Sequence, residues 1–144
     1  MLLFVEDPDH PLLNYVKDDP IRPELSKEFR TEKNKFVSVL IDKDPRALVC
    51  VSLQDKIPKS VSELREESSD IKVAVFYTIW SYQPGAGSEL LRETVSAIKK
   101  TYPNIKTFVT LSPKTEMARK FHIKNGAKVY RENESTVNYE YEIL

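Results

Sequence analysis

Gln83-Pro84-Gly85-Ala86-Gly87-Ser88 combines residue types and spacing that suit a bound phosphate. The six residues hold two of the three glycines in the 144-residue chain. Between a strand and a helix, such a turn aims several backbone N–H groups at one point. The positive end of the helix dipole adds to them, so a phosphate or diphosphate fits there. The same residues also read as a plain loop. The flanking elements must position them. Val73–Trp80 is too continuously apolar for a one-sided edge strand and predicts a central strand buried on both faces. From Ser88 to Tyr102, Leu91, Val95, Ile98 and Tyr102 recur at i, i+4, i+7 and i+11, which predicts a helix ended by Pro103. Ile105–Leu111 is the next strand. Strand, helix and strand make a βαβ unit with a parallel pair and a right-handed crossover. Ligands of such sheets gather beyond the carboxyl ends of the strands. Two segments reach that end: the Gly turn, and Thr110-Leu111-Ser112-Pro113, where Pro113 holds Ser112 extended at the strand tip.

Composition narrows the class. With 22 basic and 22 acidic residues the formal net charge is zero, which argues against a nucleic-acid or anionic-membrane partner. The single Cys50 excludes an internal disulfide and a Cys-rich zinc site. Set within Ala47–Val51, it reads as a packed thiol. No His/Asp/Glu group has ligand spacing, so no metal is expected. Met1–Val5 is too short for a signal segment, and no run approaches a membrane span. The expectation is a cytoplasmic protein folding as one domain over residues 1–144, with 1–35 an N-terminal helical or irregular part of it.

The remaining chain supplies the rest of a sheet. Pro11–Lys17 and Pro23–Thr31 each suit a short helix. Phe36–Ile41 and Ala47–Leu53 predict an antiparallel hairpin whose loop, Asp42–Arg46, has five residues. Ser60–Arg65 suits a turn or two of helix. Thr115–Lys124 predicts a helix closed by Asn125-Gly126. Ala127–Tyr130 and Val137–Ile143 read as the last strands.

This order resembles the Gcn5-related N-acetyltransferase (GNAT) fold, an α/β fold with a mixed central sheet and helices on both faces, which binds coenzyme A. That family seats the diphosphate on Gln/Arg-x-x-Gly-x-Gly/Ala. Here Tyr82 stands where Gln or Arg is usual, and Gln83 lies one place on. The resemblance makes Gln83, Gly85, Ala86, Gly87 and Ser88 the expected binding residues. Lys99, Lys100, Lys106 and Lys114 could hold the nucleotide's phosphates or be ordinary surface. Acetyltransferases often carry Ala-x-x-Phe-Tyr, then Gly-Phe, on the following helix. This chain has Ala118-x-x-Phe121-His122, then Gly126-Ala127.

That histidine points to a narrower resemblance. Phe76-Tyr77-Thr78-Ile79, Leu111-Ser112-Pro113 and Phe121-His122-Ile123-Lys124-Asn125-Gly126-Ala127 are similar to three blocks of the malonyl-CoA decarboxylase catalytic domain. Those blocks read Phe-Tyr-Ser-Ile, Leu-Ser-Pro and Phe-His-x-x-Asn-Gly-Ala. The similarity covers about three quarters of the chain, from Phe36 on. The family's N-terminal helical domain has no counterpart in these residues. Nor has a long helical insertion between Ser-Pro and Phe-His. Through this resemblance Ser112 and His122 are the expected catalytic pair, and Thr78 a third polar group facing substrate. Loss of CO2 from a malonyl thioester leaves an enolate, which needs donors at the thioester oxygen and then a proton. His122 would stabilise or protonate the enolate, and Ser112 would orient His122 or the substrate carboxylate. The blander readings are a turn serine, a satisfied buried histidine and an inward threonine hydroxyl.

Three functions follow from the resemblance. The first is a malonyl-CoA decarboxylase-like enzyme acting on a malonyl thioester of coenzyme A or of an acyl carrier protein, with no other cofactor. The second is an acetyltransferase moving acetyl from acetyl-CoA to an amine. The third is a non-catalytic acyl-CoA-binding module.

Overall fold

The computed structural model describes residues 1–65 and 70–142. Its strands are β1 (Leu2–Val5), β2 (Lys35–Ile41), β3 (Pro45–Gln54), β4 (Val73–Ser81), β5 (Thr107–Thr110), β6 (Ser112–Pro113), β7 (Ala127–Glu132) and β8 (Thr136–Tyr141). The α-helices are α1 (Lys27–Arg30), α2 (Ala86–Thr101) and α3 (Glu116–Lys124), with 3₁₀ turns at Pro11–Asp18 and Val61–Arg65. Among the described residues the strands form one sheet in the order β1-β2-β3-β4-β5-β8-β6, with β7 on β8. Among the described strands, only β4 and β5 pair in parallel. This is the mixed sheet and the α/β fold class expected from the sequence.

The central strand is β4, buried from Val73 to Thr78. On one face, Leu90, Leu91, Val95 and Ile98 of α2 pack with Phe36, Val49, Val51, Phe76 and Phe108. On the other, Leu13, Val16, Leu25 and Phe29 from the N-terminal segment cover Val37, Cys50, Val75 and Tyr77. A bond of 2.8 Å between Ser38 and Thr94 pins α2 to the sheet. The register of β4 slips once: Cys50 faces Thr78 and Val51 faces Phe76, leaving Tyr77 unmatched. Such a bulge turns the side chains beyond it to opposite faces. Accordingly Phe76 and Ile79 share one core cluster, and Tyr77 and Trp80 the other.

Several boundaries differ from expectation. The hairpin loop is shorter, because Pro45 enters β3 opposite Ile41. A first-strand proline forfeits no ladder bond there. Only Lys27–Arg30 of the Pro23–Thr31 stretch is α-helical, started by Ser26, whose Oγ accepts from Phe29 N. Helix α2 begins at Ala86, two residues earlier than its apolar pattern indicates, because Gly85 caps it at φ 80°. The strand read as Ile105–Leu111 is confined to β5, Thr107–Thr110, and the short strand β6 follows it at Ser112–Pro113. Residues 2–5 add the unanticipated strand β1, and Ile143 lies outside the described residues. No described helix is long and apolar enough to cross a membrane.

Candidate active site

The site begins where the parallel pair stops. Leu111 N donates to Phe76 O at 3.0 Å, the last rung between β4 and the chain leaving β5. Beyond it β4 continues against β3 alone, while Ser112 and Pro113 turn away to pair with β8. The strands diverge and open a cavity of about 710 Å³. Its wall includes Phe76, Ile79, Leu91 and Phe121, and its polar side chains include Ser112 and His122. Among the described residues, no Asp, Glu, Lys or Arg lines it.

His122 is the buried residue of α3, 4% exposed on an otherwise open helix. Thr115 starts this helix by accepting from Ala118 N at 3.2 Å. The imidazole stacks on Tyr139 at 5.1 Å and meets the rings of Phe121 and Tyr141 edge-on. Its Nδ1 lies 2.7 Å from the Tyr141 hydroxyl. Burial pulls its pKa down from 6.5 to about 4, so the ring is neutral near pH 7. Burial also raises the Tyr141 phenol well above its usual range, so that group stays protonated. Two neutral groups then share one short bond. If Nδ1 carried the hydrogen, the Tyr141 proton would be left without an acceptor, at a desolvation cost. The satisfied arrangement has Tyr141 donating to Nδ1, which puts the ring hydrogen on Nε2.

Ser112 is equally enclosed, at 4% exposed. Its hydroxyl donates to Thr110 Oγ1 at 2.7 Å, and the same oxygen accepts from Tyr139 N at 3.1 Å. Ser112 and His122 thus share a cavity, but no hydrogen bond joins them. Tyr141, not Ser112, holds the imidazole. Thr78 also borders the cavity, with its hydroxyl donating to the Asp19 carboxylate at 2.8 Å.

Of the Gly turn, Gly87 lines the cavity. Gln83 O accepts from Ala86 N, and Gly85 O from Glu89 N. No side chain caps the helix N-terminus. Its first-turn N–H groups are the kind that bind anions. Arg46 braces the turn, donating from Nε to Gln83 Oε1 at 2.9 Å and from Nη2 to Glu89 at 3.0 Å. The two glycines do different work. Gly85 needs its positive φ. An added Cβ on Gly87 would lie 3.3 Å from the Phe121 ring, so Gly87 lets α2 and α3 approach. Gly87→Ala is expected to cost about 1–3 kcal/mol and to displace Phe121 and the adjoining His122. Gly85→Ala is expected to cost about 1–2 kcal/mol through backbone strain, leaving His122 in place. Urea unfolding and the His122 ring resonances read the two effects apart.

Tyr139 and Tyr141 were not anticipated, and Thr110 was placed at the ligand end without its bond to Ser112. The alternation Val137-x-Tyr139-x-Tyr141 marks aromatic residues on one face of a strand, but nothing in it points at His122. Cys50 is buried, and burial pushes its thiol up to about 11.

The model of the malonyl-CoA decarboxylase C-terminal domain family matches residues 18–140. Malonyl-CoA decarboxylase from Agrobacterium vitis is 25% identical, with a TM-score of 0.68 over 84% of this chain and 35% of that one. The enzyme of the same name from Rhodopseudomonas palustris is 18% identical, with a TM-score of 0.76 over 99% of this chain and 60% of that one. The chain therefore spans 35% and 60% of the two proteins' lengths. A PaiA N-acetyltransferase from Thermoplasma acidophilum, solved with coenzyme A, shares the fold at 14% identity and a TM-score of 0.66, with 99% of each chain covered. No curated protein matches the sequence. With 18–140 matched out of 144 residues, the chain belongs to the malonyl-CoA decarboxylase family, and it has the GNAT fold.

Proposed function

We propose that this chain decarboxylates a malonyl thioester of coenzyme A, giving the acetyl thioester and CO2. The observation that carries the reading is His122: neutral, fixed through Nδ1 by Tyr141, and lining an uncharged cavity with Ser112. The carrier's diphosphate sits on the uncapped start of α2, at Gln83, Gly85, Ala86, Gly87 and Ser88, and the acyl group enters the gap between β4 and β6. A carboxylate in such a cavity loses its hydration without gaining a cation. Breaking its bond to the α-carbon releases CO2 and spreads the charge over the enolate. The Nε2–H of His122 donates to that enolate and then protonates the α-carbon. The Tyr141 proton passes to Nδ1 as Nε2 gives up its own; solvent then returns a proton to Nε2 and the Nδ1 proton goes back to Tyr141, restoring the starting tautomer. Ser112 faces the substrate carboxylate, since rotating its O–H away from Thr110 redirects the proton.

An amine acetyltransferase fits less well. A cationic amine needs a carboxylate or a strong base, and the wall offers neither. The experiment is incubation of the pure protein with malonyl-CoA, without an amine, following CO2 and acetyl-CoA. Turnover that disappears in His122→Ala and drops in Ser112→Ala supports the reading. Acetyl transfer from acetyl-CoA to an amine, without CO2 release, refutes it.

The low pKa of His122 also sets a pH dependence. The unfolded chain takes up this proton near pH 6.5, the folded one near 4. Between those values the unfolded state binds more protons, so stability rises with pH. Falling from 6.5 to 4 should remove about 3 kcal/mol. Urea melts across this window should show a steeper dependence for the wild type than for His122→Asn.

A further inference from the structure

The bulge in β4 exposes a peptide group that the sheet does not satisfy. Tyr77 has no cross-strand match, so its carbonyl must find a partner elsewhere. It accepts from Arg22 Nη1 at 2.7 Å. Arg22 is itself fixed within the N-terminal segment. Its N–H donates to Asp19 Oδ1 at 3.0 Å, and its carbonyl accepts from Arg30 Nη2 at 2.7 Å. Asp19 Oδ2 meets Arg30 at 2.8 Å, while Oδ1 also accepts the Thr78 hydroxyl. Asp19 thus pairs with the Arg30 guanidinium and holds Arg22 by its backbone N–H, and Asp19 and Glu24 are the acidic neighbours of the Arg22 guanidinium.

The bonded carbonyl belongs to the peptide joining Tyr77 to Thr78, immediately past the last β4–β5 rung and in the cavity wall. A cation on the oxygen of a peptide polarises the whole unit, making the N–H at its other end a stronger donor. We propose that Arg22 is a positioning residue. It holds the 77–78 peptide in its bulged setting and polarises it toward the oxygen of a thioester bound in the cavity. The proposal rests on the reading above that thioester chemistry occurs there.

The test uses the full chain, its Arg22→Gln and Arg22→Lys variants, and acetyl-CoA labelled with 13C at the thioester carbonyl. Infrared difference spectra read the polarisation of the bound carbonyl directly. The wild type should lower the carbonyl stretch on binding; Arg22→Gln should lose most of that shift, and Arg22→Lys should recover part of it. With malonyl-CoA, Arg22→Gln should lower kcat by roughly 10- to 100-fold, less than deletion of a direct oxyanion donor, with KM little changed. An unshifted carbonyl in the wild type, or an equal shift in Arg22→Gln, overturns the proposal. So does a loss of binding and thermal stability in Arg22→Gln while the remaining bound carbonyl keeps its shift, which would make Arg22 a packing residue only. An Arg22-dependent shift in a wild type that releases no CO2 upholds the polarisation and defeats the decarboxylase reading instead.

Discussion

His122→Ala should reduce CO2 release from malonyl-CoA by about 10³-fold or more, at the upper range for loss of a positioned acid–base group. The size follows from how much the ring is asked to do. Among the described residues no charged side chain lines the cavity, and in the proposed mechanism His122 supplies both a donor for the enolate oxygen and the proton for carbon. His122→Gln separates these jobs, since its amide can donate but cannot relay a proton. It should keep part of the electrostatic stabilisation and lose about 10²-fold. Tyr141→Phe removes the bond that fixes Nδ1 while leaving the aromatic packing. The ring can then adopt the tautomer with an unprotonated Nε2, so kcat should fall while malonyl-CoA binding persists. Single-turnover measurements of CO2 formation, with coenzyme A binding by calorimetry, give both quantities. An unchanged rate in His122→Gln would eliminate the proton relay. An unchanged rate in His122→Ala would eliminate the residue from the mechanism.

The parts of this site became legible from sequence in unequal degree. Gly85 before an apolar helical pattern, and a continuous apolar run before that, state the strand, turn and helix through local chemistry. Ser112 and His122 stand out only because three short blocks resemble one family in order. Nothing in their spacing brings them to one cavity; that is the work of the sheet, through the splay of β4 from β5 and the pairing of Ser112 with Val137. The bulge at Tyr77 carries no glycine or proline to mark it. It depends on a partner far off in sequence, Arg22, for its carbonyl. Asp19, Arg22 and Arg30 were equally hidden. In a chain with 31% charged residues, charges in a proline-punctuated stretch look like solvated surface. Asn138 shows the same limit. It donates to Pro58 O and Thr110 O, tying a loop to the strand end beneath Ser112, although it reads as an ordinary strand residue.

Asp19→Ala is expected to be the most destabilising single change outside the hydrophobic core. The Asp19 and Arg30 side chains are both 0% exposed and bonded at 2.8 Å. Removing one partner of a buried pair leaves the other charge without compensation, at about 3–5 kcal/mol. Here the loss reaches further, because Asp19 also accepts from Ile21 N, Arg22 N and the Thr78 hydroxyl. For a chain of this size, the melting temperature should fall by about 10–15 °C. Arg30→Met should cost less, because the carboxylate keeps those three donors and the methionine keeps the apolar stem. In the Asp19→Ala/Arg30→Met double variant neither charge is left unpaired, so its loss should be smaller than the sum of the two singles. A double-mutant cycle by urea unfolding measures that difference, and strict additivity would contradict the pairing. The consequence for function comes through the same bonds. With Asp19 gone, nothing anchors the Arg22 N–H or the Thr78 hydroxyl, and Pro20 and Ile21 lose their seat on the cavity wall. Hydrogen exchange in Asp19→Ala should therefore rise first in the N-terminal segment and at the β4 bulge, before the α2 face of the core. The buried charges hold the N-terminal segment against the strand that shapes the site, so activity should decline at temperatures where the rest of the sheet is still folded.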